Sequence, residues 1–467
     1  MSTYLYELPT TGAISFAEFL KDDNATYIAD IAETTEARAN LRAILKESKR
    51  TDDGEKDYLK LVLDDYIPRL FALATCLSHG EMTLKAEPVF SWRTTLSSTL
   101  FHTSPRLSIP TLSTELVFTL LTYAFALSNL ARAVVYSLGS YEKKRAITDA
   151  ERRVKDERLG FSVTMLCRSA GIFEYIGKDC LAQWERERER ISASGLSCPR
   201  PPDLSREVVI GLSKMALADA QSLAIRKLLS KAAFESTLDP GPPLPKSHPS
   251  PALVAKLHLE CASLYSTARS LVKTPDKDRP QDETGEEVAP ELRRYLSDEA
   301  AFHSALARQW LGVDAGENGG NDKAGIAVGF LAWGKKELEE LKSGGAVMET
   351  DREKEMRERR RVKVAEELEN ATVFLKGYKR INDTLACQPV PPQAELQASI
   401  PAGRLAVVVK PYTPPAPAFG SGSVDHLGRQ AEGLELDTQT DSSANEIRSS
   451  QSFTSPQKSY AGAGSYF

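Results

Sequence analysis

The sequence predicts an all-α protein, and three observations carry that prediction. Leucine and alanine outweigh valine and isoleucine, and aromatics are only 7% of the chain, a balance that favours helices over strands. Apolar residues recur at three- and four-residue steps, the spacing of one helix face. With 41% hydrophobic and 26% charged residues, most of the chain can fold around a core. Length alone, at ~150 residues per domain, corresponds to about three domains.

Residues 1–35 are mixed, with one short helix near Ser15–Leu20. Thr35–Glu81 is helical, split by a polar break at Arg50–Gly54. Its second half aligns Tyr58, Leu61, Val62, Tyr66, Leu70, Leu73 and Leu77 on one face. Pro68 lies inside this run and predicts a kink or a split. Pro88–Leu100 is a short segment of apolar and hydroxyl residues. Leu112–Leu138 is apolar almost all round and is expected at the centre. Ala150–Ile191 begins charged, turns apolar over Leu159–Ile176, and ends in the alternating charges of Glu185–Arg190, a solvated helix end.

Ser205–Phe234 and Ala252–Val272 read as two amphipathic helices. Between them Asp239–Pro251 holds six prolines, which predicts a surface loop of the kind that proline-reading modules bind. Lys273–Pro290 is a charged loop. Glu291–Leu311 and Asp322–Lys342 read as paired helices around a glycine-rich turn, Gly312–Asn321. Asp351–Ile381 is a long, highly charged helix. Cys387–Phe419 is extended and proline-punctuated, and must lie along something already folded. Gly420–Phe467 is too polar to offset its ordering entropy and is expected to be disordered.

Several function classes drop out. The net charge of −5 lacks the basic excess of a nucleic-acid binder. The six cysteines form no CxxC pair and no zinc-ligand spacing, so they read as reduced thiols of an intracellular protein. Met1–Phe19 has neither the basic nor the apolar region of a signal peptide. Asn129 and Arg132 interrupt the apolar run Leu116–Leu138, which therefore reads as a buried helix and not a membrane span. No phosphate loop, hydrolase elbow or metalloprotease motif stands out. His258 and His303 lie on helices with no catalytic partner nearby in sequence. No catalytic, metal or cofactor residue is predicted. Arg357–Lys363 is interleaved with acids and reads as a solvated helix face.

Several stretches, in order, resemble the Bro-one domain family, the helical module at the amino end of Alix and its relatives. Pro88–Leu100 resembles the family's short tryptophan segment, with Phe90, Trp92 and Arg93 in step. Leu127–Asn129 and Leu159–Leu181 resemble its long central helices. Leu212–Gln221 (LSKMALADAQ) resembles its alanine-and-glutamine helix, and Ala252–Tyr265 the helix that follows. Glu395–Val409 resembles its closing segment. The opening LPTTGAISFAEF and the ending KPYTPPAPAFGSGSVDH are most similar to the fungal branch that works in ambient alkaline-pH signalling.

The resemblance implies a boomerang-shaped domain over 1–419 with a solenoid-like, tetratricopeptide-like core of helix pairs. It includes a proline-rich inserted loop at 236–251 and a closing segment at 387–419; a disordered tail follows at 420–467. It also implies a non-enzymatic adaptor whose concave groove takes the C-terminal amphipathic helix of an ESCRT-III core subunit. Carried over residue by residue, the groove positions are Ala224, Leu253 and Leu257. Ala224 stands where a large aromatic is familiar, with Ile225 beside it to fill part of that place. The implied setting is cytoplasmic, with recruitment by partners to the plasma membrane or endosome. There, with other pH-signalling components, the adaptor would help a calpain-like protease activate a transcription factor. The alternative is a general endosomal-sorting scaffold that recruits partners through Asp239–Pro251 or Lys410–Phe419. With no histidine cluster in the sequence, pH detection is expected upstream of this chain.

Overall fold

A computed structural model describes residues 3–47, 56–97, 104–144, 147–195, 198–238, 240–273, 287–343, 351–424 and 426–427. In chain order these form strand β1 (Leu20–Lys21), α1 (Ile28–Glu47), α2 (Lys56–Ser78), strands β2 (Thr83–Leu84), β3 (Val89–Arg93) and β4 (Arg106–Pro110), α3 (Leu112–Leu138) and α4 (Asp149–Tyr175). A π-helical turn at Ile176–Cys180 leads into α5 (Leu181–Ala193). Then come α6 (Arg206–Leu238), α7 (Pro251–Lys273), α8 (Pro290–Asn318), α9 (Ala324–Ser343), α10 (Asp351–Ile381) and the short α11 (Gln393–Ala398). The all-α prediction holds, with two small antiparallel sheets, β1–β2 and β3–β4, at one end.

From α3 onward the helices form a row. α3 packs on α4, α4 on α6, α6 on α7, α7 on α8, α8 on α9, and α9 on α10. Each helix therefore buries its apolar faces mainly on its neighbours, and no single core has to grow with chain length. Helices α3 and α6 are long and apolar enough to cross a membrane by composition, but both are mostly buried within the fold. Polar side chains on α3 find partners inside. Asn129 donates to Tyr6 O and accepts from Tyr6 N, both at 2.9 Å.

The sheet end is held by one buried acid. Glu115 accepts from Arg38 Nε at 2.9 Å and Nη2 at 3.1 Å, from Tyr66 Oη at 2.8 Å and from Trp92 Nε1 at 2.8 Å. Arg38 also donates to Gly12 O and Thr11 Oγ1, both at 2.7 Å. One carboxylate thus joins α1, α2, β3 and α3.

Several sequence expectations change. Pro88–Leu100 contains a strand: Phe90 and Trp92 are buried while Val89 is exposed, the two-residue alternation of a half-buried strand, here too short to stand out. Helix α2 runs through Pro68 without splitting. Gly312 and Gly316 do not make a turn. They lie inside α8, where side chains would collide with Leu331 and with the Tyr378 ring, so these glycines permit close helix approach.

The proline loop lies at the surface as expected, with none of residues 240–250 buried, but it is tied to the fold. Leu244 N donates to Glu317 Oε2 at 3.2 Å, Pro242 abuts Gly377 of α10, and the His248 ring stacks on Trp310 with centroids 4.8 Å apart. A proline ring such as that of Pro242 can cover apolar surface without leaving an N–H unpaired.

The closing segment does run extended over the helices, apart from α11. Arg404 N donates to Lys256 O at 2.9 Å, Lys410 N to Cys167 O at 3.1 Å, and Ala418 N to Pro68 O at 3.1 Å. Phe419 is buried against Tyr27. Gly420 and Ser423 are also buried, so packed chain continues past 419; residues 428–467 of the expected disordered tail lie outside the described residues.

Candidate partner groove

Helices α6 and α7 are antiparallel neighbours. Ala218 lies opposite Cys261 and Gln221 opposite Leu257, an order that reverses along the two helices. Of the groove positions, Ala224 and Leu253 lie one turn further along this seam, toward the connecting loop, than Leu257. Ala224 and Leu253 are half-buried and reachable from solvent. Ile225 and Leu257 are 0% and 3% exposed, so they form the floor of the seam and present no free side chain. The seam accordingly offers two of the four residues directly. Leu228, one turn beyond Ala224 on the same face, is 41% exposed and adds a third apolar contact. Its four-residue spacing from Ala224 was the available sequence signal.

The closing segment bounds this surface. Gln221, the glutamine of the LSKMALADAQ stretch, donates through Nε2 to Leu257 O at 3.1 Å and Arg404 O at 2.9 Å. Its Oε1 accepts from Ala406 N at 2.8 Å. A buried amide thus pins the extended chain across both helices, one turn from Ala224 and Leu253.

Beneath the seam lies a polar cluster that sequence spacing concealed. Residues 45 positions apart, His258 and His303, meet with their Nδ1 atoms 2.8 Å apart. Lys363 of α10 donates to Glu299 of α8 at 2.9 Å. Tyr265 and Tyr295 both donate to Asp219 Oδ1 at 2.6 Å. Burial, and then Lys363, lower His258 to about 3. Burial raises Asp219 to about 7 against the pull of its two phenol hydrogen bonds.

Beside this cluster a cavity of about 380 Å³ opens between α3, α6, α8 and α10. Two ion pairs line it: Arg226 with Glu142 at 2.9 Å and Lys143 with Glu366 at 2.8 Å. Among the described residues no cluster of histidine, cysteine and carboxylate groups could hold a metal ion.

A family model for the BRO1-like domain matches residues 16–425. The chain is 33% identical to the pH-response regulator protein palC of Cryptococcus neoformans over the full length of both. It is 26% identical to the palC protein of Emericella nidulans, covering 88% of this chain and 89% of that one. In the solved ALIX BRO1 CHMP4C complex, the matched chain is 17% identical with a TM-score of 0.57, covering 88% of this chain and 96% of that one. A Bro1 domain solved for its endosomal targeting is 16% identical with a TM-score of 0.54, covering 95% and 98%. These two structures share the fold. Matched by the family model over most of its length, this protein belongs to the BRO1-like domain family.

Proposed function

We propose that this chain is a non-enzymatic adaptor of alkaline-pH signalling that docks the C-terminal amphipathic helix of an ESCRT-III core subunit. The observation that carries this reading is the half-buried pair Ala224 and Leu253, extended by Leu228, on the outer face of the α6–α7 seam. An apolar helix face laid there removes leucine surface from water at ~25 cal/mol per Å². The full-length likeness to proteins named pH-response regulators supports the pathway. The neighbour named as a complex with CHMP4C supports the partner class. In this reading the adaptor is cytoplasmic and joins plasma or endosomal membranes through its partners. Other pathway components there supply the protease that activates the transcription factor.

Recruitment through proline segments is the weaker reading. The loop 240–250 packs on α8 and α10, and the segment 410–419 packs on α2 and α4. Pro242 is engaged on α10, while Pro243 and Pro411 stay exposed.

The test is Leu253→Asp combined with Leu228→Asp, titrated against the ESCRT-III C-terminal helix. Both sites reach solvent, so the fold should survive, as circular dichroism would show. Loss of a central leucine contact costs ~2 kcal/mol, about thirtyfold in affinity. Unchanged affinity would remove the seam as the docking site. Leu257→Asp is unsuitable, because it would place a charge in the core.

A further inference from the structure

Asp219 lies where α6 meets α7 and α8, and among the described residues only its Oδ1 is bonded. Its Oδ2 is buried with no partner among them. The groups facing it come from every neighbouring element. They are Tyr265 and Cys261 on α7, Tyr295 and Glu299 on α8, Lys363 on α10, and Tyr6 from the amino-terminal segment. His303 stacks on the Tyr265 ring at 5.7 Å and brings His258 with it.

The charges in this node can be counted. Lys363 is taken by Glu299 and sits over the Phe302 ring at 4.0 Å. The contact between two Nδ1 atoms needs one donor and one acceptor, which two neutral imidazoles of opposite tautomer supply. Burial holds both histidines below their ordinary range, so the pair is uncharged at neutral pH. Asp219 is then the one acid of the node with no cation of its own among the described residues. Protonated, it leaves the node neutral. Ionised, it puts an unbalanced negative charge into a buried interior, next to Glu299, at considerable cost.

We infer that Asp219 is a protonation switch built into the α6–α7–α8 seam: alkalinisation through neutrality charges the node and loosens the packing of these helices. Asp219 precedes Ala224 by five residues and His258 follows Leu253 by five, so the seam that loosens is the one carrying the candidate groove. That coupling to the groove rests on the docking reading; the switch itself does not.

The test is urea unfolding of the full chain at pH 5, 6, 7 and 8, for the wild type, Asp219→Asn and Tyr295→Phe. The folded chain holds a proton that the unfolded Asp219 has lost, since its value rises from 3.8 to about 7. Its stabilisation is complete below 3.8 and is lost as pH rises to about 7. The unfolding constant of the wild type relative to Asp219→Asn should rise about tenfold per pH unit from 5 toward 7, then level off. Tyr295→Phe removes a donor that favours the carboxylate, so its levelling point should move to higher pH. Parallel profiles for the wild type and Asp219→Asn would overturn the switch. Amide exchange in α7 between pH 6 and 8, taken as the ratio of wild type to Asp219→Asn, should show protection falling in the wild type. A flat ratio would also overturn it, because titration without loosening is not a switch. Absence of helix binding at every pH would instead sink the docking reading alone.

Discussion

Replacing Arg38 with methionine isolates the buried acid that joins the sheet end to the helices. Arg38 and Glu115 are 2% and 0% exposed, so neither charge has water to fall back on. The substitution keeps much of the side-chain length and removes four hydrogen bonds: two to Glu115, one to Gly12 O and one to Thr11 Oγ1. Adding these as separate charged hydrogen bonds would overcount, since the bonds act as one network. The better measure is the cost of removing one partner from a buried pair, about 3–5 kcal/mol. Tyr66 and Trp92 still donate to the stranded carboxylate, which places the expected loss toward the lower end. Urea unfolding of the full chain reads it directly, and that loss is a large share of the ~5–15 kcal/mol typical of native proteins. Adding Glu115→Gln to Arg38→Met should restore part of the loss by removing the orphaned charge. A loss under ~1 kcal/mol for Arg38→Met, or no recovery in the double variant, would refute the account of Glu115 as a charge held by Arg38.

Three further outcomes are expected. Gln221→Ala removes the amide that pins Arg404 and Ala406, so hydrogen exchange of the Ala406 amide should accelerate while α6 and α7 amides stay protected; an unchanged Ala406 rate would show that the segment is held elsewhere. Ser421→Asp places a second negative charge beside Glu81, which already accepts from Ser421 and Tyr27, and should release the Phe419 anchor. Limited proteolysis would then cut after residue 410 in the variant, and equal resistance would count against the anchor. His258 is held at about 3 by burial, against 6.5 when unfolded, so it favours the fold above 6.5 and less so as pH falls toward 3. Acid unfolding of His258→Gln should therefore depend less steeply on pH than that of the wild type between pH 6 and 4, and identical slopes would refute a neutral buried histidine.

The proline loop shows where sequence reasoning reaches its limit. Six prolines correctly excluded a helix between α6 and α7, because proline lacks the N–H a helix needs. The same six said nothing of whether the loop faces water or α10, because that depends on a surface formed by residues far along the chain. Gly312 and Gly316 misled in the same way: a glycine permits either a turn or a close approach, and only the neighbouring Leu331 and Tyr378 decide which. Groove burial also fell outside the sequence. The spacing of Leu253 and Leu257 puts them on one helix face, but α6, the closing segment and Gln221 together leave one half-exposed and cover the other.

The sequence by itself determined the helices, their order and the extended closing segment, since three- and four-residue periodicity and proline placement are local properties. Through its ordered motifs it also determined the family. Tertiary structure alone decided which apolar residues remain open to a partner. It also decided that Asp219, His258, Glu299, His303 and Lys363, from four different helices, share one buried node. The reason is physical: burial and proton affinity depend on what surrounds a group in space, and residues distant in the chain supply those surroundings only after the helices have packed.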